Sequence, residues 1–168
     1  MKARLSLLFP STLVVTLALI ASCAHAPSTT GTSHSQQLAS ASAAAMNAKD
    51  YNKAQTLAAK ATRISPDFAE AWVEYGMASV RLGQVDQARR AYERALSLHQ
   101  ARYRQDPSDA NQVCQQIFVL TLLDRSSEAE ALMEKARAAH ASDSNFAAFA
   151  GHYSEAKKEW SNWQVATK

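Results

Sequence analysis

The sequence predicts an all-α fold built from repeated helix pairs. Three observations predict it. Only four glycines and four prolines occur in 168 residues, too few for the turns of an all-β domain. Alanine, the strongest helix former, is abundant. From about Ser35 onward, apolar residues recur at helical spacing and the pattern repeats at an offset of 34, which marks stacked helical units.

Composition sets the outer bounds. At 47% apolar and 20% charged, the chain suits one small globular domain, not a collagen-like, wholly disordered or polytopic membrane protein. Two cysteines cannot make a disulfide scaffold. The formal charge of +3 includes Lys2 and Arg4 of an N-terminal leader, and without them it falls to +1. So small an excess gives no support for nucleic-acid binding.

Met1 to Arg4 is short and basic, Leu5 to Ile20 is almost wholly apolar, and Ala21-Ser22-Cys23-Ala24 follows. That order is an export signal. Pro10 interrupts a run shorter than a membrane span needs. Cleavage after Ala24-His25-Ala26 would place Pro27 just past the cut, a poor choice there. Ile20-Ala21-Ser22-Cys23 instead resembles the lipobox of bacterial lipoproteins. The resemblance implies a signal peptide over 1–22, cleavage before Cys23 and acylation (palmitate-type chains) of that cysteine. Ala24, not Asp, then implies sorting to the outer membrane, facing the periplasm. Several acyl chains make such an anchor nearly permanent. Residues 23–36 hold no charge and almost no large apolar group, so they are expected to form a flexible tether to a helical domain over 37–168. His25 and His34 lie in this tether with no other ligand nearby, and a solvated linker explains them.

The repeat is clearest in its second unit. Trp72, Tyr75, Gly76 and Ala78 share one helix, Leu82-Gly83 ends it, and Ala88, Tyr92, Ala95 and Leu98 share the next. Gly76 and Ala88 are small where paired helices approach, and Gly83 lacks the Cβ that a helix-ending turn disfavours. This unit resembles the tetratricopeptide repeat, a helix–turn–helix of 34 residues. The resemblance implies a right-handed solenoid of about three such pairs, here with a C-terminal capping helix. Tyr75 stands where the family's pattern has Leu, Ser79 where it has Tyr, and Gln100 where it has the terminal Pro. Pro66 fills that last position one unit earlier.

The first unit, about Ser35 to Phe68, carries Leu38, Ala41, Ser42 and Ala45 where bulkier residues are expected. Loose packing follows from that pattern. Asp50 is the expected N-cap of its second helix. In the third unit Ala129 plays the part of Ala88 at an offset of 41. The seven extra residues, Ala101 to Pro107, are expected to lengthen the preceding helix by two turns until Pro107 stops it. Asp109 with Gln112, and Ser127 with Glu130, are capping-box-like starts. Val113, Ile117, Leu120 and Leu123 face one way on the first helix; Ala129, Met133, Ala136 and Ala139 do so on the second.

Phe146, Phe149, Tyr153, Ala156, Trp160 and Trp163 then form one seam at spacings of 3 and 4. The seam suits a helix that caps the last unit, or one that docks a partner through Trp160 and Trp163. Gly151-His152-Tyr153 alternatively resembles the turn of a fourth repeat.

No phosphate-binding loop, H-E-x-x-H or C-x-x-C occurs. Ser154 and Lys157 match S-x-x-K without the companion motifs of that enzyme family. Cys114 is expected to be a small half-buried residue, and His99, His140 and His152 surface or helix-end groups. The chain is therefore read as a non-enzyme with no cofactor, metal or small-molecule substrate. In the repeat family the first helix of each pair lines an inner groove. The resemblance assigns Glu70, Val73, Met77, Val80 and Arg81 to it in the second unit, and Asn111, Cys114, Phe118, Thr121 and Leu122 in the third. The strip suits an extended peptide or an amphipathic helix, with Arg81 expected to meet a partner carboxylate. Anchor and repeat together resemble envelope assembly factors of pili and secretion systems, the Tad-pilus group among them. The expected role is a scaffold for protein partners of the cell envelope. The alternative is an accessory subunit of an enzyme acting on peptidoglycan or exported polysaccharide.

Overall fold

The computed structural model describes residues 29–165. Seven helices follow in order: α1 (Thr29–Asn47), α2 (Tyr51–Ile64), α3 (Ala69–Arg81), α4 (Val85–Gln105), α5 (Ala110–Leu122), α6 (Ser126–Ala139) and α7 (Ser144–Val165). No strand occurs among the described residues. The first six form three helix pairs and α7 ends the array, the all-helical solenoid the periodicity predicts. The leader and Cys23 lie outside the described residues. No helix among the described residues is long and apolar enough to cross a membrane.

The turn inside each pair repeats to the residue. Lys49, Gly83 and Asp124 occupy the same place and all have positive φ, at 61°, 74° and 59°. The next amide in each case reaches back five residues at 2.9 Å: Asp50 to Ala45, Gln84 to Ser79, Arg125 to Leu120. This Schellman-type closure needs a left-handed residue. Only the second unit uses glycine for it. Lys49 and Asp124 hold the same conformation at a steric cost of about 1 kcal/mol each, so only Gly83 signals the turn in the sequence.

One position in the first helix of each pair faces the second helix or the core. That position is Ser42, Gly76 and Ile117 in the three units. Gly76 lies against the Tyr92 ring so closely that a Cβ would sit 2.3 Å from Tyr92 Cε1. Ser42 is fully buried and donates to the Ala54 carbonyl at 2.9 Å. Hence α1 is not loosely packed. Its small residues let it approach α2 closely, with Ala39, Ser42 and Ala45 buried. Ile117 in α5 is fully buried, and α5 and α6 are the least closely packed of the three pairs.

Helix α1 also begins at Thr29, inside the expected tether. The reason is tertiary. Ser35 is fully buried and donates to Ser65 Oγ at 2.7 Å, so the segment gains partners that its own composition does not reveal.

Asp50 caps α2 by accepting from the Lys53 amide, and Asp109 caps α5 by accepting from the Asn111 amide. Gln112 reaches the Asp109 carboxylate rather than its backbone. At α6 the expected cap, Ser127, is not the one used: the cap residue is Arg125, two residues earlier, with the helix beginning at Ser126 and no side-chain cap bond. The Schellman closure ending at Arg125 N–H sets that boundary, and a two-bond ion pair from Arg125 to Glu128 crosses the first turn.

Helix α4 carries the two extra turns up to Gln105, as the offset of 41 requires. They contact both neighbours. Arg102 donates to the Asp67 carbonyl at 2.7 Å and pairs with Glu70 at 3.5 Å. Tyr103 OH lies 3.1 Å from His140 Nε2, and His140 packs on Phe146. The extension thus ties the loop before α3 to the turn before α7.

Helix α7 runs through Gly151 without a break, so no turn of a fourth repeat forms there. It packs on α5 more than on its sequence neighbour α6. Phe146 enters the core, and Phe149 and Tyr153 pack against it. The first half of the aromatic seam therefore caps the array. The side chains of Ser154, Lys157, Trp160 and Trp163 lie outside the described residues. Around this core Tyr92, Val113, Ile117, Leu120 and Met133 are buried, each large side chain contributing about 1.5–3 kcal/mol.

Candidate partner-binding site

The groove positions divide between core and surface. Val73, Cys114, Thr121 and Leu122 are buried. Thr121 donates back to the Ile117 carbonyl at 3.0 Å, and Leu122 belongs to the core. These last two offer a partner no groove surface, because α5 is enclosed by α4, α6 and α7. Met77, Val80 and Phe118 are half-buried against the same core. Only Asn111 is exposed.

The charged members already have partners in the chain. Glu70 meets Arg102. The Arg81 guanidinium carbon lies 5.8 Å from the centre of the Tyr51 ring, a cation–π distance. Any partner carboxylate would have to compete with that contact.

The structure brings Asn111, Cys114 and Phe118 together with Gln115, Asn145 and Phe149 around one cleft between α5 and α7 of about 300 Å³. It does not bring the α3 residues into it. The two asparagines hold the same turn of their helices, since Asn145 follows Asn111 by 34 residues. That renewed spacing is the signal that would have found Asn145. Gln115 and the wall made by Phe149 needed the placement of α7.

Cys114 shows what the cleft is not. Burial, with Asp143 and Asp109 nearby, pushes its thiol up to about 11. It stays protonated at neutral pH and is no thiolate nucleophile. Among the described residues no three His, Cys, Asp or Glu side chains gather to hold a metal.

Beneath the groove runs a polar seam that sequence reading missed. His99, expected at the surface, is fully buried. Its Nδ1 donates to Gln112 Oε1 at 2.9 Å, and Gln112 donates to Asp109. That leaves Nε2 as a buried acceptor without a partner. Burial holds the imidazole below its ordinary value, so it is neutral. Burial raises the Glu74 carboxyl; burial and then Glu74 raise the Tyr92 phenol. An interior histidine at position 99 shares its helix face with Tyr92, seven residues earlier. That spacing is the available sequence signal.

Fold and site together define a helical-repeat protein with a small neutral cleft beside its last unit. A family model of the tetratricopeptide repeat matches residues 45–117, from the end of α1 into α5. That span includes the whole second unit and the turn before it. Comparison with curated proteins finds no match. The cleft combines Asn111, Cys114 and Gln115 inside the matched span with Phe118 and the α7 residues beyond it.

Proposed function

We propose that this protein is a non-catalytic scaffold that binds a segment of a partner protein, and that acylated Cys23 tethers it to the outer membrane, facing the periplasm. The partner belongs to an envelope assembly such as a pilus or secretion machine. Tetratricopeptide repeats mediate protein–protein interaction, and the observation that carries the reading is the α5–α7 cleft. It joins exposed amides to apolar walls, the mixture that peptide recognition uses. The envelope setting rests on the leader and the Ile20-Ala21-Ser22-Cys23 motif.

The test is crosslinked capture of the full protein from its native membranes, read by mass spectrometry. A discrete set of pilus or secretion components is the expected result. Recovery of abundant outer-membrane proteins alone would refute stable scaffolding. Recovery of polymer synthases or peptidoglycan enzymes would replace the assembly role with that of an enzyme's accessory subunit.

A further inference from the structure

We propose that the exposed stripe of α2, made by Lys53, Lys60, Arg63 and Ile64, lies against anionic phospholipid headgroups of the membrane that holds the anchor. The proposal rests on the acylation of Cys23 proposed above and adds which side of the array faces the bilayer.

Charge is uneven along the array. The second helices of the three pairs differ: α2 carries three basic side chains and no acidic one, α4 five against two, and α6 two against three. Helix α1 has no charged residue. The helices of the first unit therefore offer cations only, a polarity that the net charge of the whole chain conceals. Lys53, Thr56, Lys60 and Arg63 fall at spacings of 3, 4 and 3, which places them on one side of α2. All four are exposed. The three cations make no ion pair with the described residues. Arg94 and Arg102 gather at the loop that follows, donating to the Pro66 and Asp67 carbonyls at 3.3 and 2.7 Å, and offset Asp67 and Glu70. Ile64, next to Arg63, is 41% exposed. A branched apolar side chain beside cations suits the boundary between headgroups and acyl chains.

Chain length selects lipid over another anionic partner. Five residues separate Cys23 from Thr29, where α1 begins. Those six Cα steps span at most about 22 Å. Ser35, six residues into α1, donates to Ser65 at 2.7 Å, and Ser65 follows Ile64. Six helical residues rise about 9 Å. The basic end of α2 therefore stays within roughly 30 Å of the acylated residue. A short tether of this kind keeps headgroup phosphates at high local concentration around Lys60 and Arg63, and each cation close to an anionic leaflet adds attraction. Glu128, Glu130 and Glu134 are exposed on α6, two pairs away. The same surface repels them, which turns the last unit and its cleft away from the lipid.

The experiment uses full-length acylated protein with a single fluorophore on Thr56→Cys or on Ala131→Cys. Thr56 lies on the stripe, and Ala131 is exposed on α6. Cys114 is buried and escapes labelling. The protein is reconstituted in vesicles of phosphatidylethanolamine and phosphatidylglycerol, with a nitroxide on a fraction of the headgroups. The label at 56 is expected to be quenched about threefold more than the label at 131. Raising salt to about 0.5 M should remove most of that difference, because the screening length shortens from about 10 Å at 0.1 M to about 3 Å at 1 M. Vesicles of phosphatidylcholine alone should do the same, as should Lys60→Glu with Arg63→Glu. Equal quenching at the two positions would overturn the orientation. Quenching at 56 that survives the charge reversal would overturn headgroup contact as its cause. An acidic protein crosslinked to position 56 in native membranes, with no quenching in the pure lipid vesicles, would assign the stripe to that protein instead. Protein that does not float with the vesicles would remove the acylation on which the proposal rests.

Discussion

Gly76→Ala tests the close approach of α3 to α4. The new Cβ would lie 2.3, 2.6 and 2.9 Å from Cε1, Cδ1 and Cζ of Tyr92. Ordinary carbon contacts lie near 3.5–4.0 Å, so ring and helix must separate by about 1 Å. The ring cannot swing away, because Tyr92 is 2% exposed. Overpacking of this kind costs about 1–3 kcal/mol. Replacing a mid-helix glycine by alanine returns about 0.5–1 kcal/mol. The steric effect wins, with a net loss of about 1–2 kcal/mol and a Tm lower by roughly 3–8 °C. Gly151→Ala is the control. A Cβ there meets nothing within 4 Å, and α7 is helical through it. The same chemical change should therefore stabilise by about 0.5–1 kcal/mol. Thermal unfolding followed by far-UV circular dichroism compares the two. A Gly76→Ala protein as stable as its parent would refute the packing argument. So would equal losses in both variants.

The remaining predictions concern pH and attachment. His99 has a lowered folded-state value, so between neutrality and acid the unfolded chain takes up a proton that the folded chain refuses. Its contribution to stability is complete above the unfolded value near 6.5 and is lost as pH falls below it. Denaturant midpoints should drop from pH 7 to pH 5, and His99→Gln should flatten that slope; an unchanged slope would remove His99 as its source. Cys23→Ser should move the protein from the membrane to the soluble fraction on cell fractionation. Retention of the variant in membranes would exclude the lipid as the main attachment.

Much of the architecture is legible because its signals are local. Gly83 marks a left-handed turn, Asp50 and Asp109 mark helix starts, and Pro107 follows the end of α4. Each acts within one turn of chain. The site is less legible. Asn111, Cys114 and Phe118 can be placed on the right helix from the repeat register, and the structure puts them in the cleft. Thr121 and Leu122 share that register but are buried, because α7 settles on α5. His99 looks like a surface group, since nothing near it in sequence shows that Gln112 will cover it.

By itself the sequence determined that helices form, where most of them begin and end, and that they pair at a spacing of 34 with one insertion of seven. Those properties depend on side-chain periodicity and caps, which the chain reads over a few residues. Tertiary structure alone decided how far each pair stands apart, whether α1 reaches back to Thr29, and where α7 lies. Such distances come from volumes meeting across helices, as Gly76 meets Tyr92. The α5–α7 cleft is a product of those volumes, and no single segment encodes it.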